Sequence, residues 1–270
     1  MKRRLVLGVL LMTVLGGCGL LQEGVMSDSV SDGRVEDPRE TGPGDIDPGE
    51  VERGVLKGRV VDERGRPIEG AEVVADNQLL YDSNEVVRTG GDGRYRVATN
   101  IGATFHASAT ITRRYNGREY SLSLAPDDDA PFAGPSGAIR NFTWKLAGEK
   151  PGGLGFYGGK VLFRVDLNDQ LDADTFLDDE KVRLTLVPDG PLIDGSEGSR
   201  IVRTATRNGD GSGLEDVPIG RYRITADYEG RPLAVKLRGG GDYAQEVVAD
   251  FTPVMTGVHW IELELGLPRG

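Results

Sequence analysis

An acidic stretch that begins at Asp166 holds the densest group of potential metal ligands in the chain. Carboxylate and amide oxygens recur there within nine residues, and the candidate ligands are Asp166, Asn168, Asp172 and Asp174. Because Ca²⁺ is bound by about six to eight oxygen atoms from such groups, these residues are candidate calcium ligands, although we predict no metal site here. A solvated acidic loop at the end of a sheet has the same composition and is favoured, while calcium binding stays open as the alternative.

His259 and Glu262 are three residues apart, which is the spacing of two zinc ligands in metallocarboxypeptidases. The residues around them alternate as in a β-strand, where side chains an odd number of positions apart point to opposite faces. The other histidine of the chain is His106, whereas a catalytic zinc needs three protein ligands and an open position. We therefore predict no catalytic metal and no cofactor. Because no nucleophile and base are grouped in the sequence, we also predict that the protein is not an enzyme.

Two tryptophans, Trp144 and Trp260, each lie in the last alternating segment of a region of the chain. An aromatic platform for a sugar would use such side chains. Large aromatic side chains are more often packed in a core or at a domain contact, and the sequence favours that role here.

The single cysteine, Cys18, follows a charged start and a short apolar run. Three basic residues precede the apolar segment 5–12, and small residues precede the cysteine. This order is typical of a secretory signal peptide, and the run is shorter than the ~20 apolar residues that span a bilayer as a helix. We predict a signal peptide over residues 1–17.

The residues Leu15-Gly16-Gly17-Cys18 resemble the lipobox of bacterial lipoproteins, in which the chain is cleaved before a cysteine that receives lipid. The resemblance implies acyl chains, palmitate among them, on Cys18 and hence a membrane anchor. Several chains hold a protein durably, since each buried CH₂ contributes about 0.8 kcal/mol. Gly19 stands where aspartate retains such proteins in the inner membrane. The resemblance therefore implies the cell envelope and favours the outer membrane if the organism has one; an ordinary secretory signal with a chance cysteine is the alternative.

The chain is acidic, with a net charge of −11, and removal of residues 1–17 would take away three basic residues and no acidic ones. Such a surface is repelled by nucleic acid, so no nucleic-acid partner is expected. Residues 18–53 are rich in Gly, Pro, Ser and Asp and show neither a period of 2 nor one of 3.6, which predicts a disordered tether. A flexible chain of about 35 residues spans roughly 30–35 Å.

From residue 54 onward, apolar and polar residues alternate in short runs that are separated by turn residues. Phe105 to Ile111 is one such run. A period of two predicts half-buried strands, and no stretch has helical spacing. Residues 54–147 and 158–267 are each long enough to form one sandwich core, so the sequence predicts an all-β chain with two tandem β-sandwich domains.

Residues 148–157 interrupt the alternation with a cluster of Gly, Pro and charged residues. Such a cluster between two periodic regions is typical of a linker. We therefore expect the two domains to be only weakly coupled.

A motif in the first region resembles the carboxypeptidase regulatory-like domain. Its residues are Leu56 to Asp62, Gly65 to Val73, Thr89, and Asp92 to Tyr95. That family has a transthyretin-like Greek-key β-sandwich, and the resemblance implies the same fold for residues 54–147. Gly65 and Pro67 would close a first hairpin.

The second region is similar to the same family over a shorter stretch, Leu214 to Tyr222. This similarity implies a related Greek-key sandwich for residues 158–267. Members of the family are commonly non-catalytic modules of secreted, surface or envelope proteins. The resemblance therefore implies a lipid-anchored, non-enzymatic cell-envelope protein that binds or scaffolds an envelope protein or polysaccharide. The alternative is a carbohydrate-binding or calcium-stabilised adhesion module.

Overall fold

The computed structural model describes residues 49–80, 83–166, 170–172 and 175–268. Within these ranges the regular structure is almost entirely extended, with three single-turn 3₁₀ helices as the exceptions. The predicted signal peptide, Cys18 and most of the predicted tether lie outside the described residues. The prediction of an all-β chain built of β-sandwiches is confirmed.

Leaving aside residues 81–82, which the structure does not describe, the first sandwich is formed by ten strands in two sheets. The strands are β1 (Val55–Asp62), β2 (Glu72–Asn77), β3 (Glu85–Arg88), β4 (Arg94–Ala98), β5 (Thr104–Tyr115), β6 (Arg118–Ser123), β7 (Ala125–Pro126), β8 (Phe132–Ala133), β9 (Ala138–Ile139) and β10 (Phe142–Trp144). Sheet A has the order β4-β1-β10-β7, and β9 also pairs with β1. Sheet B has the order β3-β2-β5-β6, and β8 also pairs with β5.

Strand β5 shows why these residues form a sandwich. Phe105, Ala107, Ala109 and Ile111 are buried against sheet A, while the residues between them face outward. Alternation of this kind lets one face of a sheet bury its apolar side chains and leaves the other face in water. Each buried Leu, Ile, Val or Phe side chain contributes roughly 1.5–3 kcal/mol relative to an exposed one.

The second sandwich is formed by twelve strands in the described part of the chain. They are β11 (Gly159–Val165), β12 (Gln170–Asp172), β13 (Thr175–Phe176), β14 (Val182–Pro188), β15 (Ile201–Thr204), β16 (Thr206–Asn208), β17 (Gly211–Val217), β18 (Arg221–Tyr228), β19 (Arg231–Leu237), β20 (Val247–Asp250), β21 (Thr252–Met255) and β22 (Val258–Gly266). Ten of them form one continuous sheet, and β12 and β13 pair only with each other.

The continuous sheet has the order β15-β14-β18-β19-β22-β11-β17-β16. Strand β19 joins its two halves: Leu233 and the residues before it pair with β18, and Ala234 to Leu237 pair with β22. A strand that pairs with both layers in this way closes one side of the sandwich with backbone hydrogen bonds.

The two sandwiches share one strand order. The first reads β3-β2-β5-β6 in sheet B and β7-β10-β1-β4 in sheet A, and the second reads β15-β14-β18-β19-β22-β11-β17. Only Leu124 separates β6 from β7, so these two short strands together correspond to β19. In both sandwiches the first strand is parallel to the last, since β1 pairs with β10 and β11 with β22.

The turn after β1 lies at the residues that the sequence predicted. Gly65 donates a backbone hydrogen bond to Asp62, and Val61 forms an isolated bridge with Pro67, so a turn is present. The turn closes a short antiparallel pairing, with Asp62 N–H donating to Arg66 O and Ile68 N–H donating to Val60 O. This pairing does not continue into β2, which lies in sheet B, while β1 pairs with β4, β9 and β10 in sheet A. The turn therefore carries the chain from one layer to the other.

The described end of the predicted tether, residues 49–53, lies against the first sandwich. The Glu52 carboxylate pairs with Arg96 on β4, and its carbonyl accepts a hydrogen bond from Val55. This end of the segment therefore contacts sheet A through Glu52, and disorder of the tether stays a prediction.

Candidate functional site

Cys18, the predicted lipidation residue, lies outside the described residues, so its acylation stays a prediction. Among the residues that the structure describes, no helix is long and apolar enough to cross a membrane.

The candidate calcium ligands are described only in part. Asn168 and Asp174 lie outside the described residues, and Asp172 belongs to the backbone pairing of β12 with β13. Asp166 follows β11, where its backbone N–H donates to Leu265 and its carboxylate accepts from the Tyr243 hydroxyl at 3.5 Å. No group of three or more His, Cys, Asp or Glu side chains suited to a metal is found within the described ranges. Calcium binding therefore stays an untested alternative for this loop.

The structure places His259 and Glu262 on opposite faces of β22. The His259 side chain is buried, whereas Glu262 faces outward and pairs with Arg238, the residue that follows β19. The two side chains therefore cannot ligate one metal ion from this strand.

The two tryptophans have different surroundings. Trp144 is buried at the end of β10, and the Arg113 guanidinium lies 5.2 Å from the centre of its ring. Trp260 lies on the outward face of β22 and is half-buried. Trp144 thus has the packing role that the sequence favoured, while Trp260 lies outside the core.

The most extensive contact between the two sandwiches is made by the β5–β6 hairpin. Its turn is Asn116-Gly117, and both residues have positive φ, +46° and +76°, as a type I′ turn requires. The Tyr115 hydroxyl donates to Pro191 O at 2.8 Å and accepts from the Arg221 N–H at 3.0 Å. The hairpin tip is thereby hydrogen-bonded into the second sandwich.

Further hydrogen bonds extend this contact along β6. The Asn116 amide donates to the Asp250 carboxylate at 2.6 Å. The Arg118 guanidinium and the Tyr120 hydroxyl both donate to the Phe251 carbonyl, at 2.9 Å and 2.7 Å. Four side chains of the hairpin therefore bind backbone or carboxylate groups of the other sandwich; we call this contact the joint.

The rings of Tyr120 and His259 form the buried centre of the joint, while the Phe251 ring packs against Tyr222 within the second sandwich. Tyr120 and Phe251 are 0% exposed and His259 is 1% exposed, and the rings of Tyr120 and His259 are 5.4 Å apart. Burial raises the pKa of Tyr120 to about 12. Burial and, secondarily, the Lys150 ammonium lower the pKa of His259 to about 4, against a smaller opposing effect of the Ser121 backbone. His259 is therefore a neutral packing residue.

The predicted linker, residues 148–157, is folded back on itself. Lys150 N–H donates to Gly155 O, and Tyr157 N–H donates to Gly148 O, so the loop is closed by backbone hydrogen bonds. The Asp216 carboxylate accepts hydrogen bonds from the N–H groups of Gly148 at 2.9 Å and Gly158 at 3.2 Å. Both ends of the loop are thus fixed to the second sandwich.

The same loop is also attached to the joint. The Lys150 ammonium donates to Gly257 O at 3.1 Å, and Gly257 N–H donates to Ser121 O at 2.8 Å. A Cβ on Gly257 would lie 2.3 Å from the Ser123 hydroxyl oxygen, so the close approach of the two sandwiches requires glycine here. The expectation of weak coupling is wrong, because the buried side chains of the two sandwiches form one contiguous cluster.

A cavity of about 470 Å³ lies beside the break between β6 and β7. It is lined by Leu124, Pro126 and Phe142 of the first sandwich and by Leu154 and Tyr157 of the loop. At its mouth His106 Nε2 lies 3.0 Å from Asp129 Oδ1, which is one half of a Ser-His-Asp arrangement.

The His106–Asp129 pair at this cavity has no nucleophile hydrogen-bonded to it among the described residues. Among the described residues, Asp129 is the one side chain hydrogen-bonded to the His106 ring. Ser108 and Ser123 line the same cavity, yet neither hydroxyl is hydrogen-bonded to His106. The pair therefore has an orienting carboxylate and a base but no activated hydroxyl.

Sequence reasoning did not identify Tyr120 and Phe251 as joint residues. Each follows an ordinary alternating pattern, and their contact joins residues 131 positions apart. The available signal was the Asn116-Gly117 turn, which locates the hairpin but not the surface on which it packs.

No protein-family model matches the sequence, and no curated protein matches it. Similar solved structures include the TIE protein of Bacillus anthracis, with 14% identity over 79% of this chain and 34% of that chain and a TM-score of 0.33. A streptococcal ancillary pilin has 12% identity over 80% of this chain and 62% of its own, with a TM-score of 0.25. A DUF3823 family protein from Bacteroides uniformis has 12% identity over 73% and 99%, with a TM-score of 0.22.

This chain therefore spans 34% of the first of these proteins and less than two thirds of the second. Similarity at this level carries no argument about function. The resemblance to the carboxypeptidase regulatory-like domain stays a prediction, and the functional proposal depends on the geometry of the chain itself.

Proposed function

We propose that the chain is a lipid-anchored, non-enzymatic module of the cell envelope whose two sandwiches act as one rigid scaffold. The joint is the observation that carries this proposal. Tyr120 and His259 pack ring to ring between the sandwiches, the Phe251 carbonyl accepts a hydrogen bond from Tyr120, and the loop 148–157 is hydrogen-bonded at both ends. A scaffold or spacer needs a constant orientation between its parts, and a buried, hydrogen-bonded contact supplies it.

The anchor in this proposal is lipid on Cys18, and residues 19–48 act as the tether that separates the scaffold from the membrane. The arrangement of the leader and the acidic, pattern-free composition of this segment support both assignments. The location that follows is the cell envelope, with the outer membrane favoured if the organism has one. An envelope protein or polysaccharide is the partner that such a scaffold would hold.

The non-enzymatic part of the proposal is supported by the two histidines. The His259 ring is enclosed at the joint, where a substrate has no access. The His106–Asp129 pair has no hydroxyl or thiol hydrogen-bonded to the ring within the described residues. Neither histidine therefore belongs to a set that combines nucleophile, base and charge stabilisation.

The anchor is tested by comparing the native chain with its Cys18→Ser variant in cells fed an alkyne-labelled fatty acid. We expect the native protein in the membrane fraction with label on it, and the variant without label. A native protein that carries no label, or a variant that still carries it, would contradict the anchor.

The rigid scaffold is tested by measuring distances between spin labels on the two sandwiches. Labels at Arg88→Cys on β3 and Arg203→Cys on β15, in a Cys18→Ser background, lie on exposed strands away from the joint. We expect one narrow distance distribution, which broadens in the Tyr120→Ala variant. A broad distribution in the parent protein would show that the sandwiches move independently. Turnover of an envelope glycan or peptide by the purified parent protein would contradict the non-enzymatic assignment.

A further inference from the structure

The outward face of sheet A carries four basic side chains on two neighbouring strands. Lys57 and Arg59 belong to β1, and Arg94 and Arg96 belong to β4. The register pairs Lys57 with Arg96 and Arg59 with Arg94. Like charges directly opposite each other destabilise a pair of strands, so this arrangement weakens the sheet in the free protein. We call these four residues the basic face.

On the corresponding strands of the second sandwich, the lysine at the start of β11 is neutralised by neighbouring carboxylates. Lys160 on β11 lies 2.8 Å from Glu215 on the neighbouring β17 and 2.5 Å from Asp210 in the turn before it. The charge of Lys160 is thus satisfied within the sheet. Strand β17 carries no basic residue, so no two cations lie opposite each other on this pair of strands, and the basic face is specific to the first sandwich.

The basic face is only partly neutralised by its neighbours. Arg96 pairs with Glu52, and Arg94 Nε lies 3.7 Å from Asp92 Oδ2. Lys57 and Arg59 form no ion pair with any described residue, although Arg59 donates to the Asp92 carbonyl. Four cations thus face two carboxylates, in a chain whose net charge is −11.

The basic face also has the shape of a ligand site. A cavity of about 390 Å³ is lined by Glu52, Lys57, Gly58, Arg59, Arg94, Tyr95 and Arg96. Ligand sites commonly have volumes of about 300–1,000 Å³. Residues two apart on a strand are about 7 Å apart, and paired residues on neighbouring strands are about 5 Å apart. The four cations are therefore arranged to contact a ligand with at least two anionic groups.

We propose that the basic face binds an anionic glycan through its phosphate or carboxylate groups. Charge complementarity supports such an occupant, because Arg forms paired hydrogen bonds with both groups. Tyr95 is the aromatic residue that lines the cavity, and it is buried with its hydroxyl donating to Arg140 O at 2.7 Å. It offers no free ring for stacking on a sugar, so the anionic groups rather than the sugar rings provide the recognition.

A narrow polymer fits this face better than a membrane surface does. Glu52 and Asp92 lie beside the cations, and a broad anionic surface would meet these carboxylates and the rest of an acidic chain. A glycan strand enters the cavity without covering its surroundings. The site supplies a ligand class for the envelope role proposed above, but its test uses the purified protein without a membrane, so failure of the anchor would leave it unaffected.

Glu52 competes with the glycan for the basic face. Its carboxylate is hydrogen-bonded to Arg96, and this contact, with the nearby Lys57, lowers the pKa of Glu52 and keeps it ionised. An incoming anionic group must displace this carboxylate to reach Arg96. The structure therefore predicts that removal of the Glu52 charge tightens binding.

The test measures binding of poly(glycerol phosphate) and of polygalacturonate to the purified full chain by calorimetry, with neutral dextran as the control polymer. We expect at least one anionic polymer to bind, more weakly at about 200 mM than at about 50 mM salt because bound counterions are released. The double variant Arg59→Gln/Arg94→Gln should lose about tenfold or more in affinity, since each charge-assisted hydrogen bond contributes substantially. Glu52→Gln should bind several-fold more tightly.

Matched controls are Arg88→Gln and Lys160→Gln, which remove basic residues from sheet B and from the second sandwich and should leave the affinity unchanged. A melting temperature of the double variant that is equal to or above that of the parent confirms that the variant is folded and that only the surface has changed. The proposal is overturned if neither polymer binds, or if the double variant binds as tightly as the parent. It is also overturned if the face binds vesicles containing phosphatidylglycerol while both polymers fail, which would assign it to a membrane surface.

Discussion

The two sandwiches share a strand order but are closed differently where the chain passes from one sheet to the other. In the second sandwich β19 is continuous and pairs with β18 and then with β22 over four residues. In the first sandwich the corresponding strand is broken at Leu124, and β7 pairs with β10 over only two residues. The same strand order can therefore be closed along this side of the sandwich either by backbone hydrogen bonds or by side-chain packing.

The break explains where the first sandwich has its cavity. Pro126 in β7 has no N–H to donate, so this short strand contributes few backbone hydrogen bonds, and the next one comes from Asp127 N–H to Asn141 O. The cavity of about 470 Å³ opens beside this position, and Leu154 and Tyr157 of the loop 148–157 line its outer side. The first sandwich thus depends on the loop and on the joint for closure that the second sandwich provides for itself.

The largest expected effect comes from breaking the joint. Tyr120→Ala removes a fully buried ring and should lower the free energy of unfolding by about 3–5 kcal/mol. It should also split one thermal transition into two, with the first sandwich melting earlier. Differential scanning calorimetry measures both changes. Tyr120→Phe removes only the hydrogen bond to Phe251 and should cost about 1 kcal/mol without splitting the transition.

The difference in closure between the two sandwiches is tested by shortening one leucine in each segment that passes from one sheet to the other. Leu233→Ala in β19 and Leu124→Ala at the break both shorten a buried side chain and should cost about 2–5 kcal/mol. Leu124 already lines a cavity and loses fewer contacts, so its cost should lie in the lower half of that range. Urea unfolding of both variants makes the comparison. A larger loss for Leu124→Ala would show that the break is as tightly packed as the continuous strand.

Acid should weaken the joint through His259. The unfolded chain binds a proton at this ring near pH 6.5, whereas the folded protein does so only near pH 4. The unfolded state therefore binds more protons between these values, and stability falls as pH decreases through this window, by up to about 3 kcal/mol. Below about pH 4 the loss from this group is complete. Urea unfolding at several pH values should show the decrease in the parent and in His106→Gln, but not in His259→Leu.

The smallest effect compares the outer faces of β1 and β11. Lys57→Thr removes a charge that lies opposite Arg96 and should stabilise the protein by about 0.2–1 kcal/mol at low salt. Lys160→Thr removes the partner of Glu215 and Asp210 and should destabilise it by a similar amount. Both shifts should shrink as salt is added. Shifts of the same sign would remove the electrostatic distinction between the two faces.

The sequence correctly predicted the features that depend only on the alternation of apolar and polar residues within one strand. Phe105 to Ile111 and Ile261 to Leu265 alternate in the chain, and the structure buries the same side chains in β5 and β22. Side chains an odd number of positions apart point to opposite faces of a strand, and this rule correctly predicted that His259 and Glu262 lie on opposite faces of β22. Such predictions succeed because they need only the geometry of one strand.

Features that depend on two distant strands were not predicted. The basic face joins Lys57 to Arg96, and the joint joins Tyr120 to Phe251, so each requires a register that no single segment specifies. The loop 148–157 was predicted to be a linker from its Gly and Pro content. Its attachment depends on Asp216, which lies 58 positions beyond Gly158. Composition identifies an interruption of the strands but not the contacts made there.

The parallel pairing of the first and last strand in each sandwich has a mechanical consequence. A pulling force that enters at the start of β1 and leaves at the end of β10 acts on opposite ends of two parallel strands. Their hydrogen bonds are then loaded together in shear, rather than opened one at a time. Five residue pairs join β1 to β9 and β10, in two runs interrupted near Arg140, whereas six uninterrupted pairs join β11 to β22. Under tension along the chain, the first sandwich therefore yields before the second and limits the force that the whole molecule can transmit.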